Sequence, residues 1–490
     1  MKRHILKAMA VGAVAGAIAF SACSSGTTTG GNGGSGGTGG SAGGGSGGGN
    51  QGQTITVTAD ITADTTWTTG NTYLLDKHVY VGNATGDLAG AVTTLTIQPG
   101  VVIKGKEGTS VVITRTGKIN AVGTAAAPII FTSAKAVGDR DRGDWGGVVL
   151  LGRGKANFSA AADGGTMGGE SFIEGFPASG NKTLFGGQDE AWNCGTIKYA
   201  RVEFAGYRLA PNNELNSITL GACGSGTMLD YVQVHMGLDD GIELFGGSAN
   251  LKHAVISRME DDGLDWDNGW SGKAQFVIVM QEPAHGASGI EADNDATGSN
   301  SMPRSNPEVW NATFIGRSLS PPATEDGNNN RGIHLRRNTA ARMGNLIVTG
   351  FGSLGVQIES PGTAASFTAS DSFIKNSIFF NNPNVGYTND IAALADGGTV
   401  NVDLRPDGGS FDDSFNEETY LMGQANRVAA PGITLPLNLS SPVFKPAAGS
   451  AALSGSGSPP AGGFFDVGVT FVGAVGADDW TAGWTAYPNN

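Results

Sequence analysis

Two pairs of aspartates, each standing just before an apolar strand, are the residues in this sequence best suited to chemistry. Asp239 and Asp240 precede the first strand, and Asp261 and Asp262 precede the second one 22 residues later. If the two segments stack on each other, we expect one pair to lie above the other. Two carboxylate pairs stacked in this way can bind a hard cation, transfer protons or remain as solvated turns.

The strands that follow carry one further acid each. In the segments containing Glu243, Asp265 and Glu291, the acid alternates with apolar neighbours. Successive side chains of a strand point to opposite faces, so we expect the apolar residues to point inward and the three acids to form an outward column.

The chemistry of such a column depends on whether another segment of the chain shields it from solvent. Two carboxylates about 5 Å apart repel by roughly 1 kcal/mol in water and by roughly 3 kcal/mol at an effective dielectric near 20. A covered column therefore needs a cation, a Lys or Arg side chain, or a proton. The segments 152–193 and 293–327 are long enough to supply the cover.

Acids at alternating positions after two of these strands add oxygen ligands of the kind that bind calcium or a similar hard cation. They occur in 265–269 and 293–298, although neither segment has the distal Glu of an EF-hand. The predicted metal ligands are Asp239, Asp240, Glu243, Asp261, Asp262, Asp265, Asp267, Glu291, Asp293 and Asp295. Solvated acidic turns without a metal are the alternative.

An enzymatic role is a further alternative, since the aspartate pairs partly resemble the catalytic acids of polygalacturonases. There one acid protonates the leaving oxygen while others activate water. The candidates would be Asp239, Asp240, Asp261 and Asp262. The Asn-Thr-Asp and His-Gly partners of that family are missing, and we assign His235, His253 and His334 to other strand positions, as packing or surface residues. We therefore assign no catalytic residue.

Five tryptophans could offer flat rings to a sugar: Trp145, Trp192, Trp266, Trp270 and Trp310. The alternation places Trp266 in the core. Trp270 follows in a loop beside the acids, so it is a better candidate for a sugar platform than Trp266, although the sequence favours a loop anchor there.

Cys194 and Cys223 each stand just before a repeated strand. On adjacent coils they would lie within disulfide reach, and export to an oxidising compartment would favour the bond. Two buried thiols are the alternative.

Short strands recur with the same local pattern, which predicts the fold. One strand type recurs at 241–244, 263–266, 289–292, 332–335 and 355–358, a second at 199–202, 231–234 and 253–256, and a third at 345–348 and 376–379. Several short strands per period are typical of an all-β, single-stranded right-handed parallel β-helix of the pectin-lyase-like kind. The 22-residue spacing is too short for a β-propeller blade. The matched Asn345 and Asn376 suggest an asparagine ladder in a turn, as in pectate-lyase-like β-helices.

The first 52 residues predict where the protein resides. Lys2, Arg3 and Lys7 precede an apolar run over 8–20, which ends at Cys23. This resembles the lipobox of bacterial lipoproteins, with Phe20 where Leu is usual, and implies removal of 1–22 and lipidation of Cys23, including palmitate. Residues 23–52 are almost entirely Gly, Ser, Thr and Asn, which predicts a flexible tether. An ordinary secretory signal is the alternative.

The rest of the chain, 53–490, is predicted to be one β-helix domain with a C-terminal cap segment at about 441–490. It resembles bacterial surface lipoproteins and secreted β-helix proteins of the leptospiral outer-membrane-lipoprotein type. The resemblance is carried by Leu95–Gly100, Gly143–Gly147, Ile173–Phe176, Val202–Gly206, Pro211–Glu214, Asp239–Gly247 and Asp478–Thr485. It implies a location at the cell surface and no settled activity.

The net negative charge of the chain argues against one class of partner. The formal net charge is −14, and loss of the leader's three basic residues makes it −17. Such a surface repels phosphate backbones, so we expect no nucleic-acid partner. The sequence predicts a monomer at the outer membrane, lipid-anchored, that binds polysaccharide or an envelope partner in adhesion. A polysaccharide hydrolase or lyase is the alternative.

Overall fold

The computed structural model describes residues 52–158, 169–176, 180–210, 213–317, 330–382, 402–403 and 417–490. The predicted signal peptide, Cys23 and nearly all of the tether lie outside these ranges. Parts of the two predicted covering segments, 159–168, 177–179 and 318–327, lie outside them as well.

Strands dominate the described chain. The first eleven are β1 (Thr54–Val57), β2 (Thr65–Trp67), β3 (Thr72–Leu75), β4 (Val79–Val81), β5 (Thr93–Ile97), β6 (Val102–Gly105), β7 (Val111–Ile113), β8 (Gly117–Val122), β9 (Ile129–Ser133), β10 (Val148–Leu151) and β11 (Glu170–Phe172). Then follow β12 (Leu184–Gly186), β13 (Gly195–Glu203), β14 (Arg208–Ala210), β15 (Asn213–Glu214), β16 (Ile218–Gly221), β17 (Met228–His235), β18 (Ile242–Phe245), β19 (Asn250–Ser257), β20 (Leu264–Asp267), β21 (Lys273–Met280) and β22 (Ser288–Ala292). The last are β23 (Glu308–Ile315), β24 (Arg331–Leu335), β25 (Arg342–Gly344), β26 (Ile347–Thr349), β27 (Leu354–Ile358), β28 (Phe373–Lys375), β29 (Ile378–Phe380), β30 (Val402–Asp403), β31 (Arg427–Val428), β32 (Ile433–Leu435) and β33 (Val443–Pro446).

Helical segments are few and short in the part of the chain that the structure describes. They are the α-helices α1 (Pro361–Thr368) and α2 (Glu417–Met422), and the 3₁₀ helices Gly180–Lys182 and Ala451–Leu453.

The strands stack into a parallel β-helix, which confirms the predicted all-β solenoid. Sheet B contains ten strands in the order β30-β27-β24-β22-β20-β18-β16-β10-β7-β4, all paired in parallel. Within the described ranges, sheet A contains seventeen strands, including β13, β17, β19, β21 and β23. The chain alternates between the two sheets, so each coil adds one strand to sheet B and one long or two short strands to sheet A.

From β13 onward, seven successive coils bend within sheet A at a residue with positive φ. The bend residues on seven successive coils are Tyr199, Tyr231, His253, Phe276, Asn311, Asn345 and Asn376, with φ between 46° and 61°. Asn tolerates this left-handed region better than most residues. The asparagines expected in a ladder thus occupy the bend, while the earlier coils place stacked rings there, with centroids 4.4 Å apart for Tyr199 and Tyr231 and 4.2 Å apart for Tyr231 and His253.

The core lies inside the coils and is built by the alternation seen in the sequence. In sheet B the inward residues of neighbouring coils, such as Ile242, Leu264 and Ile290, are paired in register and fully buried. Trp266 also points inward and is fully buried, as predicted. At the first coil Trp67 stacks on Tyr73, with ring centroids 4.7 Å apart.

The C-terminal segment packs along the side of the solenoid, against sheet A. Its residues Ala474, Val475 and Trp484 are buried against Val255 and Ile278, which point outward from sheet A. The predicted cap segment therefore covers a lateral apolar face of the β-helix.

Candidate functional site

The outward acids of sheet B form the expected column. The parallel register aligns Glu243 with Asp265 and Asp265 with Glu291 on three successive coils. The column continues through Thr219 on the preceding coil and His334 on the following one. His334 lies next to Glu291 in the same row, as the repeated strand 332–335 predicts, and it is buried.

The aspartate pairs stack beside this column, as predicted, but two of their members bind backbone. Asp240 Oδ1 accepts the N–H of Asp262 at 3.0 Å, and Asp262 accepts the N–H of Ser288 on the next coil. Asn216 accepts the N–H of Asp240 in the same manner one coil earlier. Asp240 and Asp262 therefore bind successive coils together and are nearly buried, at 7% and 4% exposure.

The carboxylates come close enough together to share cations. Three triads have one oxygen per residue within 4.8 Å of one another: Asp239, Asp240 and Asp261; Asp240, Glu243 and Asp265; Asp262, Asp265 and Glu291. Asp239, Asp261, Asp265 and Glu291 are half-buried, so the group lies between the solvent and the sheet.

The donor set fits a hard cation. All candidate ligands are oxygens, the ligand type that Ca²⁺ prefers. The hydroxyl of Thr219, in register with Glu243, is buried and has no hydrogen-bond partner among the described residues. A buried polar oxygen without a partner costs free energy, and a bound cation or water beside Glu243 would satisfy it.

One end of the column is neutralised by arginines. Arg336 pairs with Glu291 and with Asp293, and Arg337 Nη1 lies 2.7 Å from Asp293. His334 bonds to Glu291 and to Glu359. Although burial opposes ionisation of Glu291, the charge of Arg336 and the His334 hydrogen bond hold its pKa well below the usual range.

The other end has no such compensation. Burial, together with the charges of neighbouring carboxylates, raises the pKa well above the usual range for Asp239, Asp240, Glu243, Asp262, Asp265 and Asp267. Arg208 and Arg337 reduce the effect at Asp239 and Asp267. These six acids thus need protons or cations near neutral pH.

Two acids missed by the sequence analysis complete the cluster. Glu174 follows β11 and Glu214 ends β15, and the two hairpins meet where Gly175 N–H donates to Asn213 Oδ1 at 2.9 Å. Desolvation and the charge of Glu214 raise the pKa of Glu174 to about 7, although its side chain reaches solvent. Glu174 belongs to the predicted covering segment 152–193, but nothing in its sequence showed that it would face the column.

Asp295, a predicted ligand, is engaged elsewhere. It is fully buried, and its carboxylate accepts N–H and O–H bonds from Thr297 and Ser299 of its own loop. It therefore serves as the centre of a turn and lies outside the three carboxylate triads.

Trp270 is an anchor, as one of its two interpretations predicted, and it offers no face to a sugar. Trp270 is fully buried, and its Nε1 donates to the carbonyl of Ala249 at 3.1 Å. The chain turns at Asn268 and Gly269, both with positive φ, and returns the ring to the core beside Trp266. Trp145 and Trp310 are buried too, and Trp192 is only 9% exposed.

The comparisons with known proteins agree with the architecture. A family model described as a pectate-lyase like beta helix domain matches residues 59–424. The chain belongs to this β-helix family. No curated protein and no solved structure matches it. The resemblance to leptospiral surface lipoproteins stays a prediction.

Proposed function

We propose that this protein is a cell-surface binding module that holds anionic polysaccharide, or an envelope partner, through calcium at the acidic face of sheet B. The observation that carries the proposal is the contrast within one row of side chains. Glu291 has arginine and histidine partners, whereas Glu243 and Asp265 face mainly other carboxylates. Ca²⁺ would neutralise the uncompensated end, and carboxylate or hydroxyl groups of a polysaccharide would complete its coordination.

Thermal unfolding tests the cation. A ligand that binds only the folded state stabilises it by about 2.7 kcal/mol when present at 100 times its Kd. We expect Ca²⁺ to raise the Tm of the wild type over EDTA, and Asp262→Asn combined with Asp265→Asn to abolish that rise. Asn at 262 can still accept the backbone N–H, so the coils stay joined.

Glu190→Gln is the matched control, because Glu190 is 62% exposed and pairs with Lys155 away from the column. It should keep the full calcium response. Identical melting curves of the wild type in Ca²⁺ and EDTA would contradict the cation site.

The polysaccharide is tested with a glycan array in Ca²⁺ and in EDTA, followed by analysis of the bound glycans for cleavage. The proposal predicts calcium-dependent retention of acidic glycans without products. If the protein retained glycans equally in EDTA, calcium would not bridge protein and glycan. The assignment to the β-helix family would be unaffected.

An enzymatic role is the second candidate, and Glu174 is the observation that favours it. A solvent-accessible carboxylic acid with a pKa of about 7, electrostatically coupled to Asp239 and to Glu214, is suited to protonating a glycosidic oxygen. Of the four earlier candidates, Asp240 and Asp262 are held by backbone contacts, which leaves Asp239 and Asp261. Glycan cleavage by the wild type that is lost in Glu174→Gln, with binding retained, would establish this role.

Location is part of the proposal. The lipobox-like sequence at Cys23 supports a lipid-anchored protein of the bacterial outer membrane, with the β-helix displayed beyond a Gly-rich tether. Within the described ranges no helix is both long and apolar enough to span a membrane.

A further inference from the structure

The last 27 residues, 464–490, bind the solenoid mainly through their backbone; we call them the strap. Gln275 is fully buried and uses both ends of its amide on Asp466: Oε1 accepts the N–H at 2.8 Å and Nε2 donates to the carbonyl at 3.2 Å. Gln233 holds Ala486 in the same two-bond manner, at 2.9 and 2.7 Å. These bonds go to the main chain of the strap and so do not depend on its side chains.

Further contacts continue the series along successive coils. Asn311 donates to the carbonyl of Phe471, Thr313 Oγ1 accepts the N–H of Ala474, Arg201 donates to the carbonyl of Trp484, His235 donates to that of Pro488, and Arg258 donates to Asn489. The surface behind the strap therefore acts as a peptide-binding groove.

Apolar contacts give the groove its sequence preference. Val255, Ile278 and Met280 point outward from sheet A into the groove, where Val475 and Trp484 cover them. Trp480 and Trp484 pack edge-on against Tyr231 of the bend stack. A chain with aromatic and small apolar residues at these positions fits the groove.

The strap is joined to the body by a hinge, residues 461–463, whose sequence is Ala-Gly-Gly. All three residues are exposed, both glycines have positive φ, and a Cβ at either would meet nothing within 4 Å. A terminal element behind such a hinge is the arrangement from which chains exchange identical segments.

We propose that the groove can also bind the strap of a second copy of this chain, so that two copies exchange straps when the hinge no longer allows the intramolecular return. In the monomer the hinge places the strap in its own groove, where its high effective concentration favours it over a strap from another molecule. A hinge too short for that return makes each chain donate its strap to its partner. The inference does not depend on the acidic face of sheet B.

A cleavable hinge tests recognition of the strap. In full-length protein a single protease site replaces residues 461–463, and the folded protein is cut and incubated with a fluorescent synthetic peptide of sequence 464–490. We expect the peptide to replace the cut strap and to co-elute with the body. Gln233→Ala with Gln275→Ala should weaken the peptide by about tenfold or more, because each substitution removes two hydrogen bonds.

Gln53→Ala is the matched control, since Gln53 is an exposed glutamine on the first coil. Exclusion of the peptide from a body that keeps its native circular dichroism would overturn the proposal. So would equal peptide affinity in the Gln233/Gln275 variant and the control.

Deleting residues 461–463 tests exchange between copies. Light scattering should show a dimer for the deletion variant and a monomer for the wild type at the same concentration. A deletion variant that is monomeric and as stable as the wild type would overturn the proposal.

Discussion

At the scale of the residue, two acids at the same strand position have opposite properties. Glu291 and Asp265 are register partners on adjacent coils. Arg336 and His334 hold the pKa of Glu291 low, whereas burial and the charges of Glu243 and Glu291 raise the pKa of Asp265. The position of an acid in its strand therefore does not by itself determine whether the acid is ionised. The charged groups that neighbouring coils place beside it do.

This contrast predicts how stability depends on pH without calcium. A carboxyl with a raised pKa binds protons in the folded state that the unfolded chain has released, so its stabilising contribution is full below about pH 4 and is lost as pH rises. In EDTA we expect a higher Tm at pH 5 than at pH 7.5. Asp265→Asn should reduce that difference, as measured by calorimetry at several pH values.

Glu291→Gln provides the opposite case. The low pKa of Glu291 means that its ionised form stabilises the fold at neutral pH, so its removal should lower stability at pH 7.5 by about 1 to 3 kcal/mol. A wild-type Tm in EDTA that does not change between pH 5 and pH 7.5 would contradict uncompensated acids at the site.

At the scale of the element, the bend in sheet A joins conformation to contacts. Asn345 has a φ of 58°, and its amide holds Gly457 with two hydrogen bonds of 2.7 and 2.8 Å. Asn is suited to both tasks, because it tolerates the left-handed region and offers a donor and an acceptor.

Substitutions at Asn345 separate these two contributions. Asn345→Ala adds backbone strain of about 1 to 2 kcal/mol to the loss of the hydrogen bonds, whereas Asn345→Gly removes only the bonds. We expect urea unfolding to rank stability as wild type, then Gly, then Ala. Equal destabilisation by Ala and Gly would contradict a conformational role of this bend.

A second link between coils is the disulfide of Cys194 and Cys223, which joins the residue before β13 to the segment between β16 and β17. The Cα atoms are 5.8 Å apart and both residues are fully buried. Closing a loop of this size constrains the unfolded chain by roughly 3 kcal/mol in the loop-entropy estimate. Unfolding with and without reductant measures it, and two free thiols in the denatured, exported protein would contradict the bond.

At the scale of the whole molecule, the parts that depend on short repeats were predictable and the parts that depend on distant segments were not. The 22-residue spacing of Asp240 and Asp262, and the alternation around Glu243, were enough to predict the stacked pairs and the outward column. Local rules determine both, because every coil repeats the same pairing with its neighbour.

The other features of the site depend on segments that are distant from it in the sequence. Glu174 reaches the column because its hairpin folds back on the solenoid, and Arg336 reaches Glu291 from the following coil. Trp270 lies in the core because a turn redirects the chain at Gly269. The alternation of inward and outward residues holds only within a strand, so it could not predict this. The sequence does indicate that a segment covers sheet A. In β21 the residues that point inward and those that point outward are both mostly apolar, as expected for a strand covered on both faces.

The proposed lipid anchor at Cys23 would hold the β-helix at the membrane. Cys23→Ser removes the thiol that would carry the lipid and leaves every described contact of the β-helix intact. We expect this variant to move from the detergent phase to the aqueous phase in Triton X-114 partitioning and to keep its calcium-dependent Tm. Unchanged partitioning would exclude a lipid anchor at Cys23, whereas loss of the calcium response would show that the acidic face depends on the anchor.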